Sequence, residues 1–72
     1  MAEIEVECYA GYRGDEEPRS LVIDGRRLLV QEIVRRWRDV NGRRFRVRCK
    51  DGREYDLSHD ESTGLWTEIG RA

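Results

Sequence analysis

The sequence predicts a mostly β domain, a small antiparallel β-barrel or coiled sheet of the SH3-like type with five to six strands. Residues 3–9 and 43–49 alternate between apolar and charged side chains, which is the pattern of half-buried strands. Asp-Gly pairs at 24–25 and 51–52 stand between apolar runs and are strong hairpin signals. Turn signals that recur about every 8–12 residues favour a small barrel.

Length and composition indicate a single small domain over residues 1–72. Charged residues make up 40% of the chain and hydrophobic residues 38%, but the net charge of −1 and the regular alternation argue against disorder. No apolar run approaches the roughly 20 residues of a membrane helix, so no membrane contact is expected. The N-terminus lacks a basic and apolar leader, and we therefore expect a cytoplasmic protein with reduced Cys8 and Cys49.

The first strand is predicted over residues 3–9, with Ile4, Val6 and Cys8 on its inward side. Residues 10–19 follow with two glycines, the only proline and three consecutive acids, and they predict an acidic loop. An exposed charged turn is the simpler interpretation of this loop. A binding rim is the alternative, because loops on a rigid β scaffold often carry recognition.

The first hairpin is predicted at Asp24-Gly25. A two-residue turn sets Ile23 opposite Arg26 and Leu21 opposite Leu28. The inward residues of this hairpin are Leu21, Ile23, Leu28 and Val30. The register and the apolar pattern therefore agree.

The second hairpin has a three-residue loop, Lys50-Asp51-Gly52. This loop pairs Val47 with Tyr55 and Phe45 with Leu57, whereas a two-residue loop would place acids opposite inward residues. Gly52 then occupies the left-handed bulge position. A final strand is expected near residues 65–69, with the inward side chain left open between Trp66 and the Leu65/Ile69 pair.

Residues 29–39 are compatible with two structures. The i, i+3, i+4, i+7 spacing of one helix face fits Val30, Ile33, Val34 and Trp37. A long bent strand would instead place Leu29, Ile33 and Trp37 at every second inward position. No N-cap residue precedes the segment, which favours the strand. A short helix near residues 30–38 would make the fold α+β and is the alternative.

Charge is segregated along the chain. Residues 1–25 hold seven acids and two bases, residues 26–53 hold eleven bases and three acids, and residues 54–72 hold five acids and one base. Such blocks indicate either pairing within the fold or an anionic partner. Pairing within the fold would take the form of a ladder if the first strand neighbours residues 43–49. Its members would be Glu3, Glu5, Glu7, Arg44, Arg46 and Arg48.

The candidate binding residues come from the basic block. They are Arg35, Arg38, Arg44, Arg46 and Arg48. A basic surface with an aromatic platform, for which Trp37, Tyr12 or Tyr55 is available, suits single-stranded nucleic acid. However, the sequence pI near 5.8 is lower than that of a dedicated nucleic-acid binder. Trp37, Phe45 and Tyr55 are interpreted as core residues, since a domain this small has few other large side chains to bury.

Catalytic and metal-binding motifs are missing from the sequence. Cys8 and Cys49 have inward parity, His59 is the only histidine, and no Cys-x-x-Cys spacing occurs. No nucleophile elbow or phosphate-binding glycine loop occurs either. We therefore expect no enzyme activity, no metal and no cofactor.

One resemblance covers nearly the whole chain. It rests on Ile4-Glu5-Val6-Glu7-Cys8-Tyr9, Pro18-Arg19-Ser20, Gly25-Arg26-Arg27, Val30, Arg36-Trp37-Arg38, Phe45-Arg46-Val47-Arg48, Asp51-Gly52, Tyr55-Asp56-Leu57 and Trp66. With these residues the chain resembles an uncharacterised small bacterial domain family. A similar domain is elsewhere fused to the C-terminus of Y-family-polymerase-like mutagenesis accessory proteins. The family has no assigned activity or site, and the fusion implies a link to DNA repair or lesion bypass.

These observations predict a non-catalytic binding or adaptor module. The expected partner is an unknown protein that contacts the outward arginines, the 10–19 loop, or both. The alternative is a weak single-stranded nucleic-acid-binding module associated with DNA repair or lesion bypass. The two functions differ in salt dependence, because contacts to phosphates weaken steeply as salt rises.

Overall fold

A computed structural model describes residues 2–8, 17–40 and 42–71, which form six antiparallel strands. The strands are β1 (Ala2–Cys8), β2 (Pro18–Ile23), β3 (Arg26–Arg38), β4 (Gly42–Cys49), β5 (Glu54–Asp60) and β6 (Trp66–Arg71). Each strand pairs with the next, and β6 pairs with β1, so the sheet closes into a barrel. The predicted small antiparallel barrel of the SH3-like type is confirmed, and the described residues contain no helix.

Both predicted hairpins have the expected register. In the first, Leu21 pairs with Leu28, and Asp24 and Gly25 adopt the positive φ angles of 53° and 76° that a two-residue turn of the hairpin type requires. In the second, Val47 pairs with Tyr55, and Gly52 has a φ of 84°. Turn chemistry and apolar parity together determine these registers.

The core consists of the inward residues of five strands. Its buried members are Ile4, Leu21, Ile23, Phe45, Val47, Cys49, Tyr55, Leu57 and Trp66. The orientation of β6 is thereby resolved, since Trp66 is 7% exposed whereas Leu65 is 49% exposed. The ring centroids of Phe45 and Trp66 lie 5.6 Å apart. This aromatic pair fills the centre of a domain that has few large side chains.

The segment that was ambiguous in the sequence is the second half of β3, a strand of 13 residues. Its register against β4 shifts twice, between Val30 and Glu32 and between Ile33 and Arg35. Each shift inserts one residue and reverses the side of the sheet that later residues face. The prediction that inward positions of this strand alternate starting at Leu29 is therefore wrong. Leu29 is 44% exposed, and the inward side chains are Leu28, Val30 and Ile33.

The loop predicted over residues 10–19 extends too far at its C-terminal end. Pro18 and Arg19 belong to β2, and Pro18 is fully buried opposite Cys8. Proline is tolerated as the first residue of a strand, where its missing N–H removes no internal ladder bond. Residues 9–16, which include most of the predicted acidic loop, lie outside the described residues.

Candidate binding face

The outer surface of β3, β4 and β5 carries the central part of the basic block. Phe45, Val47 and Cys49 are buried, so the arginines that alternate with them on β4 face outward. Residues directly opposite one another in an antiparallel pair share a face, which adds the matching residues of β3 and β5. We call this surface the arginine face. It consists of Glu32, Arg35, Trp37, Arg44, Arg46, Arg48, Glu54 and Asp56.

Arg46 and Asp56 form a forked pair across β4 and β5. The Arg46 Nε donates to Asp56 Oδ1 at 2.7 Å and its Nη2 donates to Oδ2 at 3.1 Å. Hydrogen bonding and charge from Arg46 hold the pKa of Asp56 below its usual value, and Asp56 in turn raises the pKa of Arg46. The guanidinium of Arg46 is therefore already matched by a carboxylate.

Arg48 is matched from both sides. Its Nη2 donates to Glu54 Oε2 of β5 at 2.9 Å, and its Nη1 contacts Glu32 of β3. The hydrogen bond that Arg48 donates to Glu54, followed by the charge of Glu32, raises the pKa of Arg48. Charge on this part of the arginine face alternates in sign between adjacent strands.

Arg44 pairs with Asp39, which lies in the turn between β3 and β4. The Arg44 Nε lies next to Asp39 Oδ2 but makes no hydrogen bond, so the two groups attract each other by charge without hydrogen-bond geometry. The turn holds Asp39 in place, because the Gly42 N–H donates to Asp39 Oδ1 at 3.1 Å and the Asp39 N–H donates to the Gly42 carbonyl at 2.9 Å. Asp39, held by these two hydrogen bonds, therefore supplies the carboxylate that pairs with Arg44.

The predicted ladder between the N-terminal glutamates and the β4 arginines is wrong. β1 lies between β2 and β6 in the barrel and does not neighbour β4. Glu7 instead accepts hydrogen bonds from Ser20 at 2.5 Å and from Arg27 at 2.6 Å. These hydrogen bonds, that from Ser20 first, lower the pKa of Glu7. Arg44, Arg46 and Arg48 are matched by Asp39, Asp56, Glu32 and Glu54, which lie on β3, on β5 and between β3 and β4.

Arg35 differs from the β4 arginines in its surroundings. Its guanidinium carbon lies 4.8 Å from the centroid of the Trp37 ring, which is cation–π geometry. No carboxylate pairs with Arg35 within residues 2–8, 17–40 and 42–71. Arg35 is exposed and lies opposite Arg46, which is itself occupied by Asp56.

Trp37 is not a core residue, contrary to the sequence interpretation. It is half-buried and lies opposite Arg44 on the arginine face. The second register shift in β3 causes this, because the inserted residue Val34 moves Arg35 and Trp37 to the outer side. The outward position of Trp37 agrees with the alternative in which this ring is available for stacking, and the guanidinium of Arg35 above it is the feature that sequence reasoning missed.

Arg38 is the predicted site residue that does not join the arginine face. It lies one position beyond Trp37, opposite Arg43, and it contacts Glu61 in the β5–β6 turn. The other four predicted residues, Arg35, Arg44, Arg46 and Arg48, are brought together. The five-residue basic surface is thus reduced to four arginines, three of which have carboxylate partners.

The end of the barrel next to Arg38 holds a second group that the sequence did not indicate. The Arg43 guanidinium carbon lies 4.8 Å from the Phe45 ring centroid, and His59 stacks on Trp66 with centroids 4.2 Å apart. Arg36 approaches Glu17 with an Nε to Oε2 distance of 2.8 Å. Arg43 and His59 thus pack on rings of the core, and Arg36 is matched by Glu17.

The cysteines are free thiols that face the core. Cys49 is fully buried, and burial raises the pKa of its thiol to about 11. Among the residues that the structure describes, no group of three His, Cys, Asp or Glu side chains is arranged to hold a metal ion. No helix in the same residues is long and apolar enough to cross a membrane.

Comparison with known proteins adds no assignment. A scan against protein-family models, a search of curated proteins and a search of solved structures each returned no match. The resemblance to the small bacterial domain family therefore stays a prediction.

Proposed function

We propose that this protein is a non-catalytic binding or adaptor module for a protein partner, and that contact is centred on Arg35 and Trp37. The observation that carries the proposal is the position of Trp37, which the bulge in β3 holds on the outer surface beneath Arg35. Tryptophan and arginine are the residue types most enriched among the residues that dominate binding energy in protein interfaces.

The surroundings of Trp37 favour a protein over a polyanion. Arg44, Arg46 and Arg48 each contact a carboxylate, so the face presents alternating charges in place of a continuous positive field. Energetically dominant residues in protein interfaces are commonly surrounded by contacts that contribute little binding energy themselves but exclude water. Arg44, Arg46 and Arg48 suit this surrounding role, because each already has a carboxylate partner within the fold.

The thiol environment supports a binding role over nucleophilic catalysis. A reactive cysteine needs a partly exposed site with positive charge that favours the thiolate. Cys49 is fully buried with a raised pKa, and the negative charge of Asp51 raises it further. A thiol in these surroundings behaves as a small apolar side chain.

Affinity capture with matched variants tests the proposal. The immobilised protein and its Trp37→Ala and Arg35→Glu variants are exposed to lysate, and retained proteins are quantified by mass spectrometry. Lys50→Glu is the control, because Lys50 is exposed and lies in the β4–β5 turn, outside the arginine face. We expect a protein that the wild type and Lys50→Glu retain and that both face variants lose. Retention that is equal across all four proteins would refute the proposed site.

A second candidate is weak binding of single-stranded nucleic acid, and the outward Trp37 is the observation that favours it. Base stacking on an exposed aromatic ring contributes about 1–3 kcal/mol per base. Titration of labelled oligothymidylate at increasing salt tests this function, since affinity falls with a slope of about −0.7 per phosphate contact. Absent or salt-insensitive binding, or binding unchanged in Trp37→Ala, would exclude it.

A further inference from the structure

β3 changes neighbours halfway along its length. Its first residues pair with β2, and the last of these pairs joins Ser20 to Leu29. From Val30 to Arg38 the strand pairs with β4 on one side. On the other side of residues 31–38, no strand within the described ranges is paired with β3. We call this side the open edge of β3.

We propose that the open edge of β3 accepts an extended acidic segment of the protein partner by strand addition. This inference rests on the proposed function and specifies its partner chemistry and binding mode. An edge strand presents unpaired backbone N–H and C=O groups, which an extended peptide can bond. Residues 31–38 are long enough to pair with a peptide of several residues.

The space beside the open edge suits such a segment. A shallow groove of about 240 Å³ lies there, and Pro18, Val30, Ile33 and Arg36 are among its lining residues. Val30 and Ile33 pack against the core but are only half-buried. An aliphatic side chain on an added strand would cover this remaining apolar surface, which is favourable by about 25 cal/mol per Å².

Charge on the open edge selects an acidic segment. Arg36 and Arg38 at this edge are already paired with Glu17 and Glu61, and Glu32 is paired with Arg48. Within the described part of the chain, the unmatched charge at the edge is therefore that of Arg35. Arg35 has no carboxylate partner among the described residues, and a carboxylate directly opposite it on an added strand would supply one. β4 and β5 already show this arrangement, since Arg46 lies opposite Asp56 and bonds it.

The same charges disfavour a second copy of this chain at the edge. Two open edges that paired antiparallel over residues 31–38 would bring the two unmatched Arg35 side chains close together near the centre of the pair, and like charges facing one another destabilise a strand pair. Charged residues are a common means of preventing edge-to-edge association. A partner strand with acids therefore fits the edge better than its own copy does.

The test uses three labelled nine-residue peptides. The first alternates valine with glutamate, the second has the same side chains with every backbone nitrogen methylated, and the third replaces each glutamate by lysine. Fluorescence anisotropy reports affinity, and backbone amide exchange measured by NMR reports the residues that become protected. The protein is the full chain, compared with Arg35→Glu and with the Lys50→Glu control.

We expect the acidic peptide to bind and to protect amides within residues 31–38. N-methylation should abolish binding, because it removes backbone donors while keeping the side chains, and the lysine peptide should not bind. Arg35→Glu should weaken binding on the order of tenfold, since it replaces an opposite-charge pair by a like-charge pair. Lys50→Glu should leave the affinity unchanged.

Three results would overturn the inference: no binding of the acidic peptide, equal binding of its N-methylated form, or protection outside residues 31–38. Protection that appears without peptide and grows with protein concentration would indicate a second copy at the edge, which also contradicts the inference. Failure here is separable from failure of the proposed function. If capture depends on Trp37 but the peptide leaves the edge unprotected, the binding module stands and strand addition is wrong.

Discussion

Gly42→Ala adds only one methyl group, yet we expect it to lower the free energy of unfolding of this protein strongly. Gly42 opens β4 with a φ of 154°, a conformation that side-chain-bearing residues rarely adopt. A Cβ atom placed there would lie 2.2 Å from the backbone oxygen of His59 and 3.0 Å from the backbone nitrogen of Glu61. Both are backbone atoms, so rotation of a side chain cannot relieve the contact.

The magnitude follows from two terms. A sparsely populated backbone conformation costs about 1–3 kcal/mol, and forced overpacking costs about 1–3 kcal/mol more. We therefore expect the free energy of unfolding to fall by about 2–6 kcal/mol. A domain of 72 residues has a total stability of about 4–11 kcal/mol, so the variant should be close to unfolding.

Urea denaturation followed by tryptophan fluorescence measures this loss. Gly70→Ala is the matched control, because a Cβ there makes only an ordinary contact, 3.6 Å from Asp56 Oδ2, and its φ is outside the positive range. Its stability should be unchanged or slightly higher, since alanine restricts the unfolded chain more than glycine does. Equal denaturation midpoints for Gly42→Ala and the wild type would refute the close approach of β4 to the end of β5.

Three further predictions concern the core and its hydroxyl and thiol groups. Tyr55→Phe removes the hydroxyl that donates to Asp51 Oδ2 at 2.7 Å, and loss of one such bond should lower the Tm by about 4–8 °C in thermal denaturation. Burial raises the pKa of Tyr55 from 10.0 to about 12 and that of Cys49 from 9.0 to about 11. The unfolded chain therefore loses these two protons at lower pH than the folded protein does, so the free energy of unfolding should fall as pH rises above about 9. A free energy of unfolding that stays constant between about pH 9 and 12 would contradict the burial of Tyr55 and Cys49. Iodoacetamide should modify Cys49 of the native protein far more slowly than in 6 M urea, as measured by mass spectrometry, and equal rates would contradict its position in the core.

The hairpins could be predicted from sequence because two independent constraints coincide in each. At Asp24-Gly25 and Lys50-Asp51-Gly52 the turn residues restrict the loop length, and the apolar parity of the flanking strands then admits one register. The inward positions of β4 followed from the same alternation. Local signals thus determine pairing wherever strands are joined by a short turn.

The arrangement of the site could not be predicted to the same depth. The two register shifts in β3 follow no local pattern in the sequence, yet they bring Trp37 to the outside and leave Arg38 off the arginine face. The neighbours of β1 depend on barrel closure between the two chain ends, which alternation does not encode. For this reason the glutamates of β1 were assigned to the wrong arginines. Bulges and closure are long-range outcomes of packing.

The central claim is that carboxylates within the fold already match the arginines of β4, and titration of Asp56 tests it most directly. The side-chain carboxyl carbon of Asp56 is followed by NMR between pH 2 and 7 in the wild type and in Arg46→Ala. Because Arg46 lowers the pKa of Asp56 below 3.8, this pair stabilises the fold above that pH, and the stabilisation is lost as pH falls through the lowered pKa. We expect a low midpoint in the wild type that rises in Arg46→Ala. An ordinary midpoint near 3.8 that is the same in both proteins would contradict the claim.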